Sequence, residues 1–142
     1  MDTQHLPETI AYRYRLQDKL GAGGMGSVYR AYDRLTGETV ALKRVLGETD
    51  ESSTYTDESE LRLMLVREFQ TLARLRHPNI ISIRDYGFDG DDQPFFTMEL
   101  LEGASSLLET GQAQPLSVQI DLIVQLLNAL VYLHRRGIVH RD

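Results

Sequence analysis

The sequence contains no cysteine, so it has neither a disulfide framework nor a thiolate metal site. Its four histidines, His5, His77, His134 and His140, show no ligand spacing of the His-x-x-x-His kind. Metal binding through Cys or His is therefore excluded. Positive charge is also short. Fifteen basic residues stand against twenty-one acidic ones, a formal charge of −6. Nonspecific nucleic-acid binding rests on clustered Lys and Arg, so no nucleic-acid partner is expected. Nowhere do eighteen apolar residues run together, and the opening MDTQHLPETIAYRYRL lacks a basic start followed by an apolar stretch. The segment reads as soluble and cytoplasmic, without membrane contact. What it does have, 142 residues at 42% apolar content, is enough to bury a single core.

From Tyr12 to about Val45 short β-prone runs alternate with glycine: YRYRLQDKL, SVYRAYD and ETVALKRV, with Thr36-Gly37 marking a tight connection. Three antiparallel strands are expected. Residues 46–60 are polar, acidic and Ser/Thr-rich, the composition of a mobile loop. Leu61, Leu65, Leu72 and Leu75 then recur at helical spacing up to Pro78, predicting an amphipathic helix over 59–76. IISIRDYGF and PFFTMELL read as two more strands around the turn DGDDQ, and ASSLLETG as a weak helical stretch. A strong helix is expected from Leu116 to Arg136, with apolar residues at Ile120, Ile123, Val124, Leu127, Leu130 and Val131 and a stop at Gly137. Strands, one helix, strands and then helices make an α+β fold rather than an alternating α/β one.

The run Gly21-Ala22-Gly23-Gly24-Met25-Gly26 places glycines where backbone N–H groups can approach an anion without a Cβ in the way. By itself it also fits a hairpin without ligand. A dinucleotide-binding turn would have to open a helix, whereas Ser27 to Tyr32 alternates as a strand, so the glycines cap a β-hairpin. A second feature is Glu68, which falls between Leu65 and Leu72 at helical spacing, in the stripe expected to face the sheet. Its natural partner is Lys43 in the apolar strand Val40-Ala41-Leu42-Lys43-Arg44-Val45. A buried ion costs several kcal/mol unless paired. The alternative is that Glu68 sits at the edge of the stripe and Lys43 snorkels to water.

Gly21-x-Gly23-x-x-Gly26-x-Val28, Val40-Ala41-Leu42-Lys43, the helical Glu68, His77-Pro78-Asn79-Ile80 and His140-Arg141-Asp142 occur in the order and approximate spacing of the protein-kinase family. The wording GAGGMGSVYRAYD resembles its bacterial serine/threonine members. The resemblance runs from about Tyr12 to the last residue and covers the first half of a kinase. It implies an N-terminal extension over 1–11 and a kinase N-lobe with hinge over 12–101, built on a five-stranded antiparallel sheet with one helix. The truncated start of the C-lobe would occupy 102–142.

Carried over by residue, the resemblance implies that Gly21, Ala22, Gly23, Gly24, Met25 and Gly26 cover the phosphates of ATP, which Lys43, oriented by Glu68, would also hold. Val28 and Ala41 would pack on the adenine, with Met98 at the back of its pocket. Glu99 and Leu101 would offer hinge backbone groups, and Ser105 would lie near the ribose. Asp142 would orient the substrate hydroxyl, Arg141 would meet an activation-loop phosphate, and His140 would be structural. No metal ligand is assigned in this chain, because the family places its asparagine and DFG magnesium ligands after the catalytic aspartate.

The function so implied is phosphoryl transfer from ATP to serine or threonine hydroxyls of a protein substrate, with GIVHRD read as a cut through the domain and the isolated fragment expected to be inactive. A non-catalytic nucleotide-binding scaffold and a plain interaction domain are the competing readings.

Overall fold

Tyr14-Arg15-Leu16 alternates with the period of a strand and Val40-Ala41-Leu42 is a short apolar run, and the computed structural model puts both in one sheet. It describes residues 8–23, 26–45 and 58–139. The elements are β1 (Thr9–Ile10), β2 (Tyr14–Gly23), β3 (Gly26–Asp33), β4 (Thr39–Arg44), α1 (Glu58–Ala73), β5 (Ile83–Phe88), β6 (Pro94–Met98), α2 (Leu107–Gln112) and α3 (Leu116–His134). The six strands pair antiparallel in the order β1-β2-β3-β4-β6-β5. The loop expected over 46–60 lies largely outside the described residues, as do Gly24, Met25, His140, Arg141 and Asp142.

The chain divides into two units. The first joins the sheet and α1; the second joins residues 76–81 to the chain from Leu101 onward. In the first unit, Ile10, Tyr14, Leu16, Ala31, Val40, Leu42 and Phe95 form the buried cluster, with Tyr14 and Phe95 edge to face at 5.8 Å. The sequence reading has five strands and treats 1–11 as an extension. In the structure Ile10 is only 2% exposed and β1 adds a sixth strand to β2. Two residues are too short to show a period, so this strand had no signature in the sequence.

Local chemistry shapes the connections. Asp33 closes the β3–β4 turn by accepting from the Leu35 N–H at 2.9 Å and the Thr36 hydroxyl at 3.0 Å. Asp89 does the same between β5 and β6, its Oδ1 accepting from the Asp91 and Gln93 N–H groups at 2.9 and 3.0 Å. Phe69 is a buried anchor of α1, at 5.7 Å from both Tyr86 and Phe96.

In the second unit α2 opens with a capping box, Ser106 accepting from Glu109 N–H while the Glu109 carboxylate accepts from Ser106 N–H. The hydrogen bonds at the same terminus hold the Glu109 carboxyl below its ordinary range. Helix α3 ends at His134, two residues before the expected Arg136, and the chain turns at Gly137, which takes φ +73° while the Ile138 N–H returns to the Leu133 carbonyl at 3.1 Å. Residues 76–81 are tied to α3 by the Arg76 N–H donating to the Tyr132 hydroxyl at 2.8 Å and the Asn79 side chain donating to Gln125 at 3.0 Å. Only Ala129 and Leu133 of α3 are buried; Leu116, Ile120, Ile123, Val124, Leu127 and Val131 are exposed. By length and composition α3 could cross a membrane, although Gln119, Asp121, Gln125 and Asn128 interrupt its apolar surface.

Candidate nucleotide site

Strand register builds the site. Val28 lies opposite Lys43 and Lys43 opposite Phe96, while Ala41 lies opposite Met98 and Met98 opposite Ile83. Cross-strand partners share a face and residues two apart along a strand return to it, so Val28, Ala41, Lys43 and Met98 occupy one side of β3, β4 and β6. Val40 and Leu42, at the intervening positions, join the buried cluster on the other side. Ala41 is buried, while Val28, Lys43 and Met98 are half-buried. This is a largely apolar floor with the Lys43 ammonium beside Val28 and with Arg30, opposite Ala41, on the same face.

The glycine run is the end of the β2–β3 hairpin, with Gly21 opposite Val28, Ala22 opposite Ser27 and Gly23 opposite Gly26. Gly26 has φ +121°, a conformation that side-chain-bearing residues rarely adopt. A Cβ on Gly21 would meet nothing within 4 Å, so that residue faces open space. Gly24 and Met25 lie outside the described residues.

The Lys43 ammonium lies 6.0 Å from the Phe96 ring centroid. Phe69 packs on that same ring, so α1 covers the face that carries Lys43. The expectation that Glu68 turns into this face is corrected: Glu68 is exposed, and among the described residues no ion pair joins it to Lys43. Helix α1 turns so that Phe69, one residue and about 100° further round, faces the sheet. An aromatic ring gains from burial what a carboxylate loses by desolvation.

The remaining sequence-derived positions fall into two groups. Glu99 follows β6, is exposed, and donates its N–H to the Ser82 carbonyl at 3.4 Å. Leu101 and Ser105 belong to the second unit. Leu101 is exposed, and the Ser105 hydroxyl shares a 2.8 Å hydrogen bond with Thr110 beside the start of α2. Asp142 lies outside the described residues.

Three contributors had no sequence assignment. Ile83 extends the Ala41–Met98 row onto β5. Phe69 and Phe96 couple α1 to Lys43, a cross-element contact that periodicity does not encode.

Away from this face, Arg13 grips Asp33 through two 2.7 Å bonds and reaches Asp85 at 2.7 Å, and the Tyr14 hydroxyl donates to Asp85 at 2.8 Å. The Arg13 guanidinium holds the Asp33 carboxyl well below the usual range, outweighing the opposing effect of burial. Hydrogen bonding to Asp33 in turn strengthens Arg13's hold on its proton. Burial, with the bond to Asp85, pushes the Tyr14 phenol up.

The protein kinase domain model matches residues 14–142. The DNA damage-responsive serine/threonine-protein kinase RqkA of Deinococcus radiodurans is 39% identical over 138 residues, covering 94% of this chain and 19% of its own length. The probable serine/threonine-protein kinase SCO3848 of Streptomyces coelicolor is 35% identical over 141 residues, covering 96% and 20%. The serine/threonine-protein kinase PknA of Mycobacterium tuberculosis is 36% identical over 141 residues, covering 94% and 31%. Among solved structures, a mutant of the Mycobacterium tuberculosis PknI kinase domain superposes with a TM-score of 0.74 at 27% identity. That superposition covers 99% of this chain and 56% of the PknI chain. The chain thus spans a minor part of the first two relatives and about half of the solved kinase domain.

Proposed function

This chain belongs to the protein kinase domain family, and from that premise we propose that it is the nucleotide-binding half of a serine/threonine protein kinase. The observation that carries this reading is the strand register that sets Val28, Ala41, Lys43 and Met98 on one face beside the glycine hairpin. An adenine ring needs flat apolar contact, and a triphosphate needs backbone N–H groups and a tethered cation nearby. Ile83 extends the apolar surface onto β5.

In this reading the Gly21–Gly26 backbone covers the phosphates of ATP and Lys43 neutralises them. The carbonyl of Glu99 and the N–H of Leu101 meet the adenine edge, and Ser105 approaches the ribose. Glu68 orients Lys43 once α1 rotates it inward, a pairing that the described residues do not make here. Asp142 orients the hydroxyl of a protein serine or threonine for attack on the γ-phosphorus, and Arg141 serves an activation-loop phosphate. Among the described residues no three acidic or histidine side chains converge to hold a metal. The magnesium ligands are assigned instead to the segment that the family places after Asp142, and the fragment alone is expected to be inactive. The exposed apolar side of α3 is then the surface that the rest of the larger lobe covers. In this reading the domain works in the cytoplasm, where ATP is available.

The test is Lys43→Met in the complete kinase. Loss of ATP binding and turnover, with circular dichroism and melting near wild type, supports the reading, and retained turnover overturns it. The scaffold alternative draws on the unpaired Glu68; it requires that the complete protein bind nucleotide yet phosphorylate nothing.

A further inference from the structure

Arg44 follows Lys43 in β4, so strand alternation sends its side chain to the opposite face. There its guanidinium donates to Asp89 Oδ2 from Nε at 3.2 Å and from a terminal nitrogen at 2.9 Å. The same terminal nitrogen donates to Glu8 Oε1 at 2.6 Å. Asp89 is a rigid acceptor: its side chain is 3% exposed and its other oxygen is held by the two turn N–H groups of Asp91 and Gln93. Glu8 is anchored too, its carbonyl accepting from the Leu16 N–H at 2.8 Å, two residues before the buried Ile10. One residue past Arg44, the Val45 N–H donates to the Pro94 carbonyl at 2.9 Å. Burial works against the Arg44 charge, and the hydrogen bonds it donates to Glu8 and Asp89 more than offset it.

We propose that Arg44 is a positioning residue for Lys43, and that Glu8, which precedes the family-matched span, completes the clamp. This rests on the reading that Lys43 holds the nucleotide phosphates. The clamp pins the end of β4 to the β5–β6 turn and to the segment that enters β1. The register of Lys43 against Phe96 then has a side-chain lock in addition to its main-chain bonds. A charge-assisted contact weakens steeply with misplacement, so slackening this strand end costs nucleotide affinity before it costs chemistry.

The experiment uses the complete kinase, with steady-state kinetics in ATP and thermal melting of each variant. Arg44→Met raises the KM for ATP about fivefold and leaves kcat at saturating ATP within about twofold. Arg44→Lys, a point charge without the fork, recovers part of that loss. Glu8→Gln removes one exposed partner, leaves the Arg44–Asp89 pair intact and raises the KM about twofold. The double variant Glu8→Gln/Arg44→Met is no worse than Arg44→Met alone, because both act through one guanidinium. An unchanged KM for ATP in Arg44→Met and Glu8→Gln, with or without a lower melting temperature, overturns the clamp. If Arg44→Met does not fold, Glu8→Gln decides alone. Lys43→Met is run in parallel: retained nucleotide affinity there overturns the phosphate assignment, whereas its loss beside silent Arg44 and Glu8 variants overturns only the clamp.

Discussion

Phe69 of α1 lies 5.7 Å, centroid to centroid, from Phe96 of β6, whose ring centroid is 6.0 Å from the Lys43 ammonium. A single aromatic contact thus couples the helix to the strand face that carries the candidate phosphate-binding lysine. Phe69→Ala removes a buried anchor of α1, and the expected loss is about 3–4 kcal/mol, with Phe69→Leu costing about 1 kcal/mol. Urea denaturation of both variants checks this. Equal losses would show that the helix is not held by packing at this ring.

The Arg13–Asp33 pair makes stability depend on acidity. Asp33 is held below its ordinary value of 3.8 chiefly by Arg13. Its contribution is therefore complete above that value and is lost as the pH falls through the lower native one. Asp33→Asn is expected to cost about 2 kcal/mol at neutral pH, since Arg13 is partly exposed and solvent screens part of the pair. Between about pH 4 and pH 2 the wild type should lose stability more steeply than Asp33→Asn. Urea midpoints across that range measure the difference, and parallel curves would contradict it.

Helix α2 is six residues long and depends on its first turn. Ser106→Ala removes the hydroxyl that accepts from Glu109 N–H, with an expected local cost of about 1 kcal/mol. Hydrogen exchange should show faster amides in residues 107–112 and unchanged protection in the β2–β4 core. Slower exchange in α2 would refute the cap's role.

The exposed side of α3 carries Ile120, Ile123 and Leu127. Contiguous apolar surface of this kind drives association in water. Residues 1–142 should therefore sediment with a concentration-dependent weight-average mass, and the variant Ile120→Glu/Ile123→Glu should move toward monomer. Identical sedimentation of the two chains would argue against the face as the cause.

Much of the fold was legible because its signals are local. The alternation of residues 14–16, the apolar run 40–42, the Thr36-Gly37 connection and the glycine stop of α3 each lie within a few residues of what they specify. The α1 boundary was less exact: a helix expected over 59–76 ends at Ala73, with Arg74 and Leu75 in a closing turn. The orientation of that helix was misread, since leucine spacing pointed Glu68 inward and a neighbouring phenylalanine made the stronger claim. Ion pairs such as Arg13–Asp85 and Arg44–Asp89 join residues dozens of positions apart and leave no trace in a linear pattern.

The sequence by itself determined the family, the α+β class, the hairpin carrying the glycines and the identity of the strand lysine, because residue type, spacing and period encode each of them. Tertiary structure decided which side chains share the face of Lys43, that Ile10 belongs to the core and that Glu68 stands in solvent beside a buried Phe69. Those outcomes depend on competition for a limited buried surface, and only the folded chain settles which residue wins.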